Sequence, residues 1–269
     1  MKVTLLGTGT SQGVPVVGCQ CAVCHSSNTK DHRLRTAAFV EADGLHILLD
    51  AGPDLRMQLL REGITEVDAI LVTHEHKDHL AGLDDIRPIY FMMKRPMQVY
   101  ALPRVLKVIR KDYDYAFRQH PYPGVPAFVL HPVVNEPFQV GNLTIEPIHI
   151  RHLTLPILGF RIQDMAYITD GSFIAEREMQ QLRGLRLLII NALRIKEHYS
   201  HFNLSQALSI IRQLDPERAV ITHISHEMGL YEDIAPTLPL NVSLGYDGMS
   251  IEITKKECII KEKNSIFAP

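Results

Sequence analysis

A short apolar strand that breaks into THEHKDH, residues 73–79, constrains this chain more than any other feature of its sequence. His74 and His76 stand at i and i+2 just past ILVT, where two imidazoles can turn toward one ion, and Asp78 and His79 follow within reach of a second. A solvated polar turn has no use for three histidines. Nitrogen and oxygen donors in this set suit zinc, manganese or iron. Four donors do not complete two coordination shells, so the fold must bring further ligands to this point from elsewhere in the chain.

Other strand ends offer them. Short β-type runs recur at 2–6, 36–41, 46–50, 69–73, 97–101, 143–150, 157–162, 165–169, 186–190, 219–222 and 250–254. Helical spacing is found at 54–62, 105–117, 173–182 and 203–214, the last capped by Asn203 or Ser205. Several strands run into a polar or histidine residue: Asp50, His74, Asp170 and His223. Strand ends gathered at one end of a sheet are how α/β proteins assemble a site from distant sequence. One ion is then expected on His74, His76 and His152, the other on Asp78, His79 and His223, with the Asp170 carboxylate shared between them. His149 competes with His152, since a change of strand register reverses which of them faces the site.

Strands and helices interleave through 269 residues with no linker, charge block or internal repeat, which predicts one domain over 1–269. Hydrophobic residues at 46% and charged residues at 22% exclude wholesale disorder, and a net charge of −2 gives no global attraction for nucleic acid or anionic membrane. The start, MKVTLLGTGTSQG, has neither the h-region of a signal peptide nor the length of a membrane span, so a cytoplasmic protein without a membrane partner is expected. The stretch from Arg87 to Pro126 is less regular. It reads as core and surface, with a lid or a homodimer contact as the alternative.

Three of the four cysteines, Cys19, Cys21 and Cys24, form C-x-C-x-x-C, while Cys258 stands alone. Three thiolates at this spacing can fill three corners of a closed tetrahedral zinc site, a redox pair being the other reading. The fourth ligand is expected to be His226, three residues past His223. Cys258 is the rival, although its strand-like surroundings suit a buried apolar thiol better.

These motifs resemble the metallo-β-lactamase fold superfamily, whose HxHxDH signature matches His74 through His79. The segments LGTGTSQGVP, CQCAVC, LLDAGPDLR, THEHKDHLAGLDDIRP and THISHEMG are similar to its phosphodiesterase branch, which includes the phosphoribosyl cyclic phosphate phosphodiesterase and, more distantly, transfer RNA 3′-processing endonucleases. The resemblance implies an α/β fold: an αββα four-layer sandwich of two mixed sheets flanked by helices, with a dinuclear site at one edge. It also implies that Asp50 orients a ligand histidine and that His226 closes the zinc site. The segment HFNLSQA resembles the general-acid segment of that branch, which makes His201 the expected proton donor, with His198 as the alternative.

The expected chemistry is hydrolysis of a small phosphodiester, cyclic or linear, by a hydroxide held between two divalent ions, zinc or manganese, with Asp78 essential and one further structural zinc. Thr10, Ser11 and Gln12 offer donors to the remaining phosphoryl oxygens, and Asp84, Asp85 and Arg87 shape the pocket wall or merely pair with one another. Two other functions compete. An RNA-processing nuclease would need a basic arm, for which only KRPMQVYALPRVLKVIRK is a candidate, so nucleic acid is left open as a partner. A non-catalytic, metal-stabilised scaffold would have no use for His201.

Overall fold

The computed structural model of the protein describes residues 1–119 and 123–261. The amino-terminal half runs β1 Lys2–Gly7, β2 Ala37–Ala42, β3 Leu45–Leu49, α1 Leu55–Glu62, β4 Ala69–Leu71, α2 Lys77–Leu80, α3 Arg87–Met93, β5 Met97–Ala101, α4 Pro103–Asp112 and β6 Phe128–Pro132. The second half begins with β7 Phe138–Val140, β8 Leu143–His152, β9 Leu155–Ile162, β10 Met165–Ile168 and β11 Phe173–Ile174. It continues with α5 Glu176–Gln181, β12 Leu187–Asn191, α6 Leu204–Leu214, β13 Arg218–Thr222, α7 Tyr231–Ile234, β14 Val242–Leu244, β15 Ser250–Ile253 and β16 Cys258–Lys261.

Two mixed sheets result. The first has the order β16-β15-β1-β2-β3-β4-β5-β6, antiparallel up to β3 and parallel from β3 onward. The second has the order β11-β8-β9-β10-β12-β13-β14, with β7 added on β8, and it too changes from antiparallel to parallel, at β10.

Strand periodicity sorts the side chains into three cores. Ile47, Leu49 and Leu71 of the first sheet pack on Phe160, Tyr167, Ile189 and Val220 of the second, all fully buried. The alternate residues Leu48 and Ile70 face α1 and α4, and Leu188 and Ile190 face α6. Successive layers are therefore helix, sheet, sheet, helix, the αββα sandwich that the sequence motifs imply.

Helix α6 starts at a capping box: Asn203 Oδ1 accepts from Gln206 N at 2.9 Å and Gln206 Oε1 accepts from Asn203 N at 3.0 Å. Elsewhere tertiary pairing overrides local pattern. Helical spacing predicts a helix from Phe173, yet Phe173 and Ile174 pair with Arg151 and Ile150 of β8, and α5 begins only at Glu176. The helix expected over 105–117 runs Pro103–Asp112 and gives way to a 3-10 turn at Asp114–Ala116. Arg87 to Pro126 builds α3, β5 and α4, with Ile89, Val99, Val105 and Ile109 in the outer core; residues 120–122 of that stretch lie outside the described residues.

The turn after β3 is locked to α2. Ala51 N donates to His79 O at 2.8 Å and Gly82 N to Ala51 O at 2.9 Å. A Cβ at Gly52 would lie 2.0 Å from Asp78 O, so only glycine permits this approach. Gly52→Ala is accordingly expected to destabilise the protein by about 1–3 kcal/mol through overpacking against backbone. A denaturant midpoint that falls without a change in slope is the result to look for.

Candidate metal centre

Five strands deliver the polar cluster, and they come from two sheets rather than one. Asp50 and Thr73-His74 follow β3 and β4 of the first sheet, while His152 ends β8, and Asp170 and His223 follow β10 and β13 of the second. Asp50, Asp170 and His223 all adopt left-handed backbone, with φ of 64°, 57° and 55°. Non-glycine residues pay about 1–3 kcal/mol each for such geometry, and it recurs at functional sites.

Within the cluster four histidines share one polarity. Thr73 Oγ1 lies 2.9 Å from His74 Nδ1, Asp50 Oδ2 accepts from His79 Nδ1 at 2.8 Å, and Thr169 Oγ1 lies 3.3 Å from His223 Nδ1. His152 Nδ1 donates to Ser200 O at 2.9 Å and Asp170 O at 3.0 Å. With each Nδ1 engaged, each Nε2 keeps its lone pair for a cation. Buried Nε2 atoms of His74 and His79 make no hydrogen bond.

The carboxylates complete a donor set. His79 Nε2 faces Asp170 Oδ2 at 3.0 Å and Asp78 Oδ2 at 3.2 Å, and His223 Nε2 faces Asp170 Oδ1 at 3.2 Å. Donor atoms of Asp78, His79, Asp170 and His223 all lie within 4.8 Å of one another, as do those of His152, Asp170 and His201. His74 and His76 border this second group through ring separations of 5.9 and 5.2 Å to His152. Asp170 belongs to both groups.

Charge in the cluster follows from burial and proximity. Burial alone would push Asp78 and Asp170 upward; the His79 imidazole beside Asp78, and His223 with His79 beside Asp170, hold both below the usual carboxylate range. Burial raises Asp50, against the pull of His79. Burial and then His79 drive His74 down, so it stays neutral. His201 is pushed down to about 3, by burial first and then by His223.

A second donor group lies apart from this one. Sγ of Cys19, Cys21 and Cys24 stand 3.3, 3.4 and 3.6 Å from His226 Nδ1, an arrangement suited to one tetrahedral ion. The backbone amide of Cys24 lowers the Cys21 thiol to about 6, whereas burial raises Cys24 to about 11. Cys258 is buried within β16 and is not part of the group.

A family model described as β-lactamase superfamily domain matches residues 46–224, two thirds of the chain and all of the histidine cluster. The chain belongs to the β-lactamase superfamily. A diphosphatase from the PhnP family, known from its crystal structure, is 38% identical and superimposes with a TM-score of 0.88 over 94% of this chain and 98% of that one. Human tRNase Z, short form, shares the fold with a TM-score of 0.71, at 21% identity over 94% of this chain and all of its own. An octanoyltransferase of Porphyromonas gingivalis is 46% identical over 97% of this chain, which spans only 54% of that protein. Superfamily membership and the clustered donors together describe a metal-binding hydrolase fold. Among the described residues no helix is long and apolar enough to cross a membrane.

For this superfamily member the structure places the expected residues as follows. His74, His76, Asp78, His79, His152, Asp170 and His223 surround one point, with His76 exposed at its mouth. His149 lies elsewhere, toward Glu178 and Arg177. His201 closes the cluster, its ring 4.6 Å from His152 and 4.9 Å from His223; His198 sits one ring further out, 5.3 Å from His201. Of the amino-terminal turn, Thr10 enters the cluster, with Oγ1 3.2 Å from His223 Nε2, while Ser11 and Gln12 are exposed. Asp84 pairs with Arg87 and accepts from Tyr115, on the wall of a separate 550 Å³ cavity between α1 and α3.

Sequence reasoning missed Thr73, Thr169 and Asn191. The two threonines precede site residues in the strings VTH and ITD, a signal that is visible only once the ligands are known. Asn191 clamps Gly171 through both backbone groups, at 2.7 and 3.0 Å, and so fixes the turn that carries Asp170.

The thiols provide a direct test. In metal-stripped protein the Cys21 thiolate should be present above about pH 6 and lost below it, so its alkylation rate should rise through that pH while Cys24 reacts only in strong base. Mass-spectrometric mapping of iodoacetamide adducts across pH reads both midpoints.

Proposed function

We propose that the protein is a metal-dependent phosphodiesterase acting on a small linear or cyclic phosphodiester, with His201 as the proton donor. The observation that carries this reading is His201 itself. It is nine-tenths buried, with an Nδ1 that makes no hydrogen bond and lies 3.8 Å from Asp170 Oδ1, at the border of a donor set already sufficient for two ions. The similarity to a PhnP-family diphosphatase supports phosphoryl over acyl chemistry.

In this reading His74, His76 and His152 would hold one ion and Asp78, His79 and His223 the other, with Asp170 available to both; Cys19, Cys21, Cys24 and His226 would hold a structural zinc. When bound, the paired ions supply Lewis acidity toward water and phosphoryl oxygen. The remaining work belongs to side chains. Asp50 keeps His79 in one tautomer, Thr10 offers a hydroxyl beside His223, and His201 delivers a proton to the leaving oxygen. A diester anion entering beside His201 adds the negative charge that draws a proton onto an imidazole which burial otherwise keeps neutral.

Elemental analysis of gently purified protein should find three ions per chain, zinc or manganese in the paired site. Asp78→Ala should lose one of them and nearly all activity while the fold stands. A fully active protein holding a single ion would overturn the assignment.

His201→Ala should keep all three ions and slow alkyl phosphodiester hydrolysis by roughly 10²- to 10⁴-fold. Bis(p-nitrophenyl) phosphate should suffer less, because its leaving group departs unprotonated. Equal losses on both substrates, or a lost ion, would remove His201 from this role.

A further inference from the structure

His201 is carried by the loop between β12 and α6, whose ends are anchored: Leu193 and Phe202 are buried, and Phe202 N donates to Gly171 O at 2.8 Å. Between those ends Ile195 and Tyr199 are 46% and 76% exposed, so apolar burial does not set the shape of the middle of the loop. Its base is closed by backbone: Leu193 N donates to Phe202 O at 2.9 Å and Leu204 N to Arg194 O at 3.0 Å. Within the loop His198 Nδ1 accepts from Ser200 N at 3.3 Å, and Arg194 holds the stretch before it. Arg194 donates from Nη2 to Glu197 O at 2.9 Å and from Nε to Lys196 O at 3.3 Å.

The remaining arm of the same guanidinium leads out of the loop. Arg194 Nη1 donates to Glu227 Oε2, and Glu227 directly follows His226 of the Cys19–Cys21–Cys24 group. The stretch between is short and tied down, since Ser225 Oγ accepts from Glu227 N at 3.2 Å and Ser225 N donates to Leu193 O at 2.9 Å. At the other end of the loop Ser200 O receives His152 Nδ1, so loop shape also fixes a ring at the site. A planar fork with donors on two sides can hold two carbonyls and a carboxylate at once, which an ammonium cannot.

We infer that Arg194 is a positioning residue for His201, and that Glu227 connects it to the cysteine group, so that an ion on the thiolates and His226 orders the loop that carries the proton donor. The inference rests on the reading of His201 as that donor. It gives the thiolate site a second consequence beyond stability: occupancy there sets how well a leaving group is protonated at a different site.

Hydrogen exchange of backbone amides 196–201, followed by mass spectrometry on the zinc-loaded protein, tests the connection without any substrate. Arg194→Met, Glu227→Gln and Cys21→Ser should each speed exchange in that segment by roughly tenfold or more, with Arg194→Lys failing to restore it. Arg194→Met and Glu227→Gln should keep the paired-site ions and lower kcat on an alkyl phosphodiester by about 10- to 100-fold at nearly unchanged KM, sparing bis(p-nitrophenyl) phosphate. Unaltered exchange in either Arg194→Met or Cys21→Ser would overturn the inference, as would equal rate losses on the two substrates. Should the wild-type protein hydrolyse neither ester, the phosphodiesterase reading fails, and the exchange data still decide whether the thiolate site orders the loop.

Discussion

A carboxylate sealed from solvent organises the first-sheet half of the metal centre. Asp50 accepts from Thr73 N at 2.8 Å, from Thr73 Oγ1 at 3.0 Å and from His79 Nδ1 at 2.8 Å, which joins the end of β3 to the end of β4 and to α2. A charge buried this deeply is tolerable only when its hydrogen bonds are made, so each partner is under strong pressure to stay where it is. The glycine contact between residues 52 and 78 follows from the same demand, because bringing His79 onto Asp50 brings two backbones together.

The second sheet answers with hydroxyls and carbonyls instead of a buried acid beneath the histidines. Thr169 donates to Asp170 Oδ2 at 2.7 Å and sits beside His223 Nδ1, and two carbonyls receive His152. The two halves reach the same end by different means: ring nitrogens of one type turned inward and the other type occupied. Asp170, placed where both halves meet, supplies the negative charge that nitrogen donors lack. Its left-handed backbone is the local cost of aiming a carboxylate back across the ends of two sheets, and the Asn191 clamp on Gly171 holds that conformation in place.

Much of this was legible in sequence because metal ligands are chemically conspicuous. THEHKDH and C-x-C-x-x-C announce themselves by residue type, and Asp170 and His223 by ending apolar strands. The sandwich was legible through those motifs more than through periodicity, since buried strands such as LLIIN show no alternation that would assign them to one sheet or another. Short edge strands at 128–132, 138–140 and 242–244 escaped because they owe their existence to neighbours; Phe173 and Ile174 were drawn from helix to strand for the same reason. Arg194 escaped for a different one. Its role lies in backbone carbonyls of its own loop, and no pattern of side chains records that.

The division of the donors between two sheets bears on how the protein reaches its native state. His74, Asp78 and His79 are far in sequence from Asp170 and His223, so the cluster exists only after the sheets have docked, and local structure alone cannot preassemble it. Docking closes these five polar side chains, four of them buried, into a small space before their favourable partners are all in place, which makes this edge of the interface an unrewarding step for the bare chain. A cation that prefers the docked form draws the equilibrium toward it by mass action, with a gain that grows with the logarithm of its concentration. An ion held there would thus also fasten the two halves of the molecule together, and its supply would enter the folding balance.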